Sequence, residues 1–370
     1  MIHCMRSSHR IFHNLKRTWF NTVNAPGPIA IQQNHHERRH ASSDSSTKGS
    51  DHREKIECMR GIIQQPTQNG IDPHDNSWDT LWQKEITPWD IGQPTPILIS
   101  ELERIRKKSS PMSVHKSFVS HPPNAKKRIR SLVPGCGAGY DLATIARYHD
   151  DYSSSLSSSS HSQNINKQTF LEESTVIGLD VSSTSLLKAK ETVNSLLKKE
   201  KNEKLSTLKM KKSHDVVPTN IKFMHGDFFQ KESSWKEATS PLSFVSSDDR
   251  NENDQNRKLS EECMKFDFIL DYTFFCAIQP ELRPQWGKRL SMLLIPETGR
   301  LLTIMFPVPS SSSSPPSILE GPPYPVIVED YKNTLEPHGF QMLDGCPYEH
   351  EDTIGPRRGN EFVSWWKLIV

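Results

Sequence analysis

Short apolar runs alternate with amphipathic segments from about residue 128 to the end of the chain. The apolar runs predict buried strands, and segments whose apolar residues recur every three or four positions predict helices that bury one face. Strands that alternate with helices form a mostly parallel sheet covered on both faces, so we expect an α/β fold with a seven-stranded sheet. The last two runs lack a full crossover helix between them, which favours an antiparallel edge. The predicted strands are 128–133, 176–179, 221–224, 266–270, 300–306, 340–343 and 361–369, and the predicted helices are 141–148, 186–197, 286–294 and 331–337.

Five polar inserts interrupt this pattern, and their composition cannot bury a core. We therefore expect disordered loops there. The stretch from Ala41 to about Asp75 is also polar and mostly unpatterned, which indicates a linker, and order is expected to begin near Trp78. The prediction is one domain over 76–370, preceded by an extension over 1–75. The inserts are 104–130, 153–162, 198–212, 246–256 and 310–314.

The charge and cysteine content exclude several classes of partner. The 46 basic and 44 acidic residues give a net charge of +2, so we expect no nucleic-acid partner. Because no run of about 18 apolar residues occurs, we expect no membrane span. The six cysteines form no CxxC pair, which argues for a reducing compartment and against structural zinc or a disulfide framework. We expect no metal site and a monomer.

The first residues have the composition of an organelle transit peptide. Basic residues occur there without any carboxylate before Glu37, and apolar residues recur at helical spacing. The alternative is an ordinary disordered N-terminus, so the predicted location is intracellular, in a mitochondrion or plastid or otherwise in the cytoplasm. The basic residues are Arg6, Arg10, Lys16 and Arg17, and the apolar ones are Ile11, Phe12, Leu15, Trp19 and Phe20.

Three successive predicted strands end in residues suited to one ligand. The first strand ends in a GxGxG turn formed by Gly135, Gly137 and Gly139, where a ligand could approach the backbone at a helix N-terminus. Asp180 ends the second strand and could accept hydrogen bonds from both ribose hydroxyls. The third strand is followed by Asp227 and Phe228, which could bind an adenine amino group and stack on the base. Ligands of parallel sheets bind along this edge, so the series suits S-adenosylmethionine.

Each of these residues also has a simpler interpretation. A glycine turn can be unliganded, Asp180 could be a helix N-cap, and Phe228 could be core. A dinucleotide cofactor is disfavoured because Tyr140 follows the turn and no third glycine stands at the GxGxxG spacing.

With these residues in place, the chain resembles the thiopurine S-methyltransferase superfamily, in its halide/thiol methyltransferase branch. The most specific matching stretches are ITPWDIGQPTP (86–96) and DYTFFCAIQPELRP (271–284). Together the matches cover most of 78–370 apart from the inserts; they are TLWQKEITPWDIGQPTP (80–96), LVPGCGAGYD (132–141), VIGLDVSSTSLLKA (176–189), HGDFF (225–229), FDFILDYTFFCAIQPELRPQW (266–286), GRLLTIMFP (299–307), GPPYPV (321–326) and IGPRRG (354–359).

The resemblance implies a Rossmann-like class I methyltransferase with an N-terminal lid, and S-adenosylmethionine as its cofactor. It implies that Tyr272 stands near the sulfonium or the acceptor and that Gly135 lies at the methionine end of the cofactor. Asp180 would then bind the ribose, and Asp227 and Phe228 the adenine. The lid tryptophans implied to contact the cofactor, which also keep one helix face as core residues do, are Trp78, Trp82 and Trp89.

The expected acceptor is a small anionic or thiol substrate. A halide, hydrosulfide or thiocyanate arrives ionised and needs no base, which fits the absence of a persuasive His–Asp or Cys–His arrangement. A positive, dehydrated pocket would attract such an anion, and Arg283, Arg357 and Arg358 lie in matching loops. Cys136 and Cys276 are better explained as small packing residues. An enzyme for aromatic or heterocyclic thiols and a non-catalytic binding module remain the alternatives.

Overall fold

The computed structural model describes residues 44–64, 73–107, 129–157, 174–207, 220–238, 264–309, 321–344, 348–354 and 357–369. Contacts between Cα atoms divide the chain into Met1–Ser50 and Asp51–Val370. Of the first unit, only the start of one helix is described, so the predicted transit peptide lies outside the described residues. The predicted domain boundary at 75/76 and the monomeric state stay predictions.

The second unit is built on one mixed sheet. Five parallel strands form its centre, and all seven predicted strands are present. Two further two-residue strands make it nine-stranded, so the predicted number of seven was wrong. The strands are β1 (Arg130–Pro134), β2 (Thr175–Asp180), β3 (Asn220–His225), β4 (Lys236–Glu237), β5 (Phe268–Tyr272), β6 (Arg300–Met305), β7 (Phe340–Met342), β8 (Tyr348–Glu349) and β9 (Phe362–Leu368). Their order in the sheet is β4-β3-β2-β1-β5-β6-β9-β7, and β8 also pairs with β9.

The predicted antiparallel edge is confirmed. Strand β9 runs antiparallel to β6, to β7 and to β8. The final strand therefore lies between β6 and β7, which a chain can do when a short antiparallel return replaces a crossover helix.

Helices cover both faces of the sheet. Because successive side chains of a strand point to opposite faces, Leu132 and Ile269 pack on one side and Val133 and Phe268 on the other. The helices are α1 (Asp44–Ile63), α2 (Pro73–Gln83), α3 (Pro96–Lys107), α4 (Tyr140–Ser157), α5 (Ser183–Thr207), α6 (Arg283–Leu293) and α7 (Val328–Leu335). Helices α6 and α7 cover the first side, and α3, α4 and α5 cover the second.

Helix α1 stands where a disordered linker was predicted, so that prediction was wrong for Asp44–Ile63. Its Met59 and Ile63 are buried against Leu81 of α2. The side chains of Arg60 and Gln64 also donate hydrogen bonds to the carbonyls of Pro322 and Gly321, each at 3.3 Å. Tertiary packing therefore orders a segment whose composition alone is polar.

Three predicted loops begin as helix instead. Helices α3, α4 and α5 continue into the inserts at 104–130, 153–162 and 198–212. For α5 the physical reason is propensity, because lysine, glutamate and leucine are good helix formers even without a buried face. The inserts at 246–256 and 310–314 lie outside the described residues. Within the described ranges no helix is long and apolar enough to cross a membrane.

Docking of α1 can be tested by truncating its central buried side chain. Met59→Ala should lower the free energy of unfolding by about 2–5 kcal/mol, because Met59 is 1% exposed and its loss leaves a cavity against α2. Urea denaturation measures this. The exposed Glu57→Ala on the same helix should change stability by less than about 0.5 kcal/mol. Equal effects of the two substitutions would show that α1 does not pack as described.

Candidate active site

The glycine turn follows β1 and has a backbone that other residues adopt poorly. Gly135, Gly137 and Gly139 have φ values of 59°, 51° and 77°, in the left-handed region that favours glycine. A Cβ at Gly135 would lie 2.6 Å from the Phe274 ring, so a side chain there would clash. The Cys136 N–H donates to the Leu179 carbonyl at 3.1 Å and ties the turn to the end of β2.

Three of the predicted site residues lie at one level of the sheet edge. In the parallel register Pro134 pairs with Leu179, and Leu132 pairs with Ile269. Continuing both registers places Gly135 level with Asp180 and with Tyr272. Gly135 and Asp180 therefore lie at the same carboxyl edge, as the series of strand ends predicts, and Tyr272 lies level with them; the roles of all three stay predictions.

The Asp180 carboxylate holds the glycine turn together. Its Oδ2 accepts a hydrogen bond from the Gly137 N–H at 3.0 Å, and its Oδ1 accepts one from the Ser182 N–H at 2.9 Å. Burial raises the pKa of Asp180, against the opposing effect of hydrogen bonds from Ser182, Gly137 and Ser185. Asp180 therefore orders the turn, and a ribose would share a carboxylate that already accepts two backbone hydrogen bonds.

Helix α2 and the loop that follows it, residues 73–95, are called the lid. The three tryptophans of the lid meet over this turn. The Trp78 and Trp89 ring centroids are 5.3 Å apart, and those of Trp82 and Trp89 are 6.0 Å apart, both edge-on. A Cβ at Gly137 would lie 3.4 Å from the Trp82 ring, which places that ring against the turn. The prediction that all three tryptophans share one helix face was wrong, because α2 ends at Gln83 and Trp89 returns from the following loop.

The residues after β3 are partly committed to local structure. Asp227 Oδ1 accepts from the Phe229 N–H at 2.9 Å, and the Asp227 carbonyl accepts from the Trp235 indole at 2.9 Å. Phe228 is 3% exposed and packs edge-on against Phe229 and Phe274. Its ring belongs to the core, so the predicted stacking of Phe228 on adenine stays a prediction and could involve only a small part of the ring.

Tyr272 lies in a buried polar cluster with Arg357 and Glu361, which come from the C-terminal part of the chain. Its hydroxyl donates to Glu361 Oε1 at 2.7 Å and accepts from Arg357 Nη1. Arg357 Nη2 donates to the Trp89 carbonyl at 2.9 Å, and its guanidinium lies 4.5 Å from the centroid of the Phe306 ring. Arg357 thus links the lid to Tyr272.

Burial sets the protonation of this cluster. It raises the pKa of the Tyr272 phenol well above its usual value, although the charge of Arg357 opposes the shift. Burial also raises the pKa of Glu361, against the effect of hydrogen bonds from Tyr272 and of the Arg357 charge. The phenol therefore stays protonated at neutral pH and can donate or accept a hydrogen bond but cannot act as a base.

The other predicted arginines have different surroundings. Arg358 is exposed. Arg283, by contrast, is 8% exposed, lies 4.7 Å from the Phe275 ring centroid, and pairs with Asp330 at 3.5 Å through Nη1. Its buried Nε and Nη2 have no hydrogen-bond partner among the described residues. Burial raises the pKa of Cys276 to about 12, which keeps this thiol protonated and supports its interpretation as a packing residue.

Sequence reasoning missed three carboxylates that organise the site. Glu361 completes the Tyr272 cluster. Asp141 accepts from both the backbone N–H (2.9 Å) and the hydroxyl (2.8 Å) of Thr95 at the end of the lid, and Asp79 of α2 contacts the start of α5. The last two lie within matching or adjoining stretches, but no local pattern reveals partners this far along the chain.

Comparison with known proteins decides the family. The family model for thiopurine S-methyltransferase matches residues 257–365. The chain is 30% identical over 290 residues to "Probable thiol methyltransferase 2" of Arabidopsis thaliana, covering 78% of this chain and 84% of that protein. It is 28% identical over 295 residues to thiocyanate methyltransferase 1 of the same plant, covering 80% and 86%.

The chain belongs to the thiopurine S-methyltransferase superfamily. Membership in the thiol methyltransferase branch makes it an S-adenosylmethionine-dependent enzyme that methylates thiol-type substrates. The sequence-based identification and the cofactor are thereby confirmed. Among solved structures, magnesium protoporphyrin IX methyltransferase of Synechocystis with bound S-adenosylmethionine covers 89% of this chain and 100% of its own, at 12% identity and a TM-score of 0.37, which is too low to add to the argument.

The residues present fit this methyl donor. The glycine turn offers backbone without side chains, and a Cβ at Gly135 would already clash with Phe274. Trp82 lies against the same turn, and the Asp180 carboxylate stands at its level of the sheet edge. We propose that Trp78, Trp82, Trp89, Gly135, Asp180, Asp227, Phe228 and Tyr272 hold the donor.

The double role of Asp180 predicts that its removal affects stability as well as donor binding. Asp180→Ala should abolish binding of S-adenosylmethionine and lower the free energy of unfolding by about 1–3 kcal/mol, because two backbone N–H groups lose their acceptor. Calorimetry and urea denaturation measure the two effects. Asp180→Asn, which keeps one acceptor oxygen, should be intermediate. Lost binding at unchanged stability would contradict the proposed support of the turn.

Proposed function

We propose that this enzyme transfers the methyl group to small soft nucleophiles, namely halide, hydrosulfide, thiocyanate and small thiols. The observation that carries the proposal is the buried Arg357–Tyr272–Glu361 cluster below Trp89. It places a guanidinium that is paired with a carboxylate beside a protonated phenol, so it can fix the geometry of an acceptor site and offers no phenolate as a base.

The chemistry requires little from the protein beyond position and exclusion of water. The bound sulfonium supplies an activated methyl group whose leaving group is a neutral thioether. The glycine turn and Asp180 would hold this donor so that an acceptor could displace the thioether from the methyl carbon in line. Holding the acceptor opposite the leaving sulfur can lower the activation free energy by roughly 7–11 kcal/mol. We propose that Tyr272 and Arg357 provide that positioning and that the lid excludes water.

Arg283 is the residue best suited to attract the acceptor. Two of its buried nitrogens, Nε and Nη2, have no hydrogen-bond partner among the described residues, and Asp330 pairs only with Nη1. Because an unpaired buried donor is costly, an anion that accepted from it would be bound favourably. Arg357, in contrast, already donates to Tyr272, Glu361 and Trp89. We propose that Arg283 guides the anion while Arg357 fixes the geometry.

A heterocyclic thiol is the second candidate. The half-buried rings of Trp78, Trp82 and Trp89 offer aromatic edges and faces on which a flat acceptor could stack. This reading predicts turnover of a thiopurine without turnover of halide.

A parallel assay separates the two candidates. Purified protein that begins no later than Asp44, so that α1 is retained, is incubated with S-adenosylmethionine and with iodide, hydrosulfide, thiocyanate or 6-mercaptopurine. Methyl iodide and methanethiol in the headspace and methyl thiocyanate in solution are the expected products. Arg283→Gln should raise the KM for the anions about 10- to 100-fold, the loss of one or two charged hydrogen bonds, without changing donor affinity.

The matched control is Arg358→Gln, which removes an exposed arginine and should leave both constants unchanged. Methylation of 6-mercaptopurine alone would move the enzyme to the heterocyclic-thiol branch. Anion turnover that Arg283→Gln does not affect would remove Arg283 from the acceptor site while leaving the acceptor class in place.

A further inference from the structure

We infer that Asp79 is a positioning residue that fastens the lid helix α2 beside the donor site. The inference rests on the proposed roles of Trp82 and Asp180 in holding the donor, and it does not depend on which acceptor is used. Asp79 lies between Trp78 and Leu81, and its carboxylate reaches the N-terminus of α5.

The Asp79 carboxylate is fully engaged. Its Oδ1 accepts from the Ser182 hydroxyl at 2.8 Å and from the Thr184 N–H at 2.9 Å, with the Ser183 hydroxyl at 3.4 Å. Its Oδ2 accepts from the Gln83 side chain at 2.6 Å. Burial raises the pKa of Asp79, but the hydrogen bonds outweigh that effect and lower it below its usual value. The group is therefore a carboxylate at neutral pH.

The contact acts as a helix cap supplied from another helix. Helix α5 begins at Ser183, so Thr184 carries one of its first N–H groups, which have no partner within the helix. Ser182 caps the Ser185 N–H with its own hydroxyl at 3.0 Å, and Asp79 accepts from Thr184. A negative charge at this end of a helix is also favoured by the helix dipole.

A series of contacts connects these residues to the proposed donor site and then back to α2. Ser182, which donates its hydroxyl to Asp79, donates its backbone N–H to Asp180. Asp180 accepts from Gly137, and Gly137 lies against the Trp82 ring. Trp82 is on the same helix as Asp79. This closed path couples the position of the lid to the carboxylate and the turn that are proposed to hold the donor.

Other contacts hold the rest of the lid. Arg357 donates to the Trp89 carbonyl, and Asp141 accepts twice from Thr95. Neither of these contacts involves α2 itself, which is also held by the packing of Leu81 against Met59 and Ile63 of α1. Loss of the Asp79 charge should therefore loosen Trp78 and Trp82 while the end of the lid stays attached, and donor affinity should fall more than the chemical step.

The test compares the Asp79→Asn variant with the unsubstituted enzyme. The substitution keeps the shape of the side chain and removes its charge, so the protein should fold. The dissociation constant for S-adenosylmethionine should rise about tenfold, the loss expected for a charged hydrogen bond. At saturating donor, kcat and the acceptor KM should stay within about twofold. Asp51→Asn removes an exposed aspartate of α1 and is the matched control, with donor affinity unchanged.

A double-mutant cycle with Trp82→Phe distinguishes positioning from general stabilisation. If Asp79 acts through Trp82, the two losses of donor affinity should not add. Additive losses, unchanged affinity in Asp79→Asn, or an equal fall in kcat at saturating donor would each overturn the inference. Because donor binding is measured without an acceptor, an enzyme that shows the tenfold shift but turns over none of the tested anions would retain the inference and lose the proposed acceptor class.

Discussion

The carboxylate of Asp180 is the interaction on which the proposed donor edge depends. It accepts hydrogen bonds from the turn after β1 and from the start of α5, and so joins two crossover connections of the parallel sheet at one point. The left-handed conformations in the turn are costly for residues other than glycine, so the turn requires both its glycines and this acceptor. Because the acceptor is buried, its two hydrogen bonds compete with little water.

The proposed acceptor side is organised by a different physical constraint. There a guanidinium, a phenol and a carboxylate are buried together, and each lowers the cost of burying the others. The arrangement keeps an ion pair in a dry environment, where water screens its two charges weakly. It also keeps the Tyr272 phenol protonated, which suits a displacement in which the acceptor arrives already charged.

The two sides meet through the lid, which makes the site a property of the assembled unit. Trp82 packs on the glycine turn, and the carbonyl of Trp89 accepts from Arg357 of the buried Arg357–Tyr272–Glu361 cluster. Helix α1 in turn packs against Leu81. Its Arg60 and the adjoining Gln64 donate hydrogen bonds to the carbonyls of Pro322 and Gly321. The adjacent Tyr324 N–H donates to the Cys276 carbonyl, so the extension before the lid is connected to the segment after β5.

Local sequence patterns were enough to predict the alternation of strands and helices, the glycine turn and the carboxylates at the strand ends, because each of these features has a local cause. Apolar periodicity predicts burial, and positive φ angles favour glycine. The resemblance of two long motifs also identified the family. The sequence of α1 also contains a helical pattern, because Ile56, Met59 and Ile63 lie on one helical face. The polar composition of the segment nevertheless favoured a linker.

Which polar groups meet depends on the three-dimensional arrangement of the elements. Asp79 and Ser182 are 103 positions apart, and Tyr272 and Arg357 are 85 apart. Hydrogen bonds over such separations depend on how helices cross the sheet and how the chain returns between β6 and β7, and no local pattern encodes that geometry. For the same reason the sequence could nominate Arg283, Arg357 and Arg358 together, whereas burial separated an exposed side chain from two buried ones with different partners.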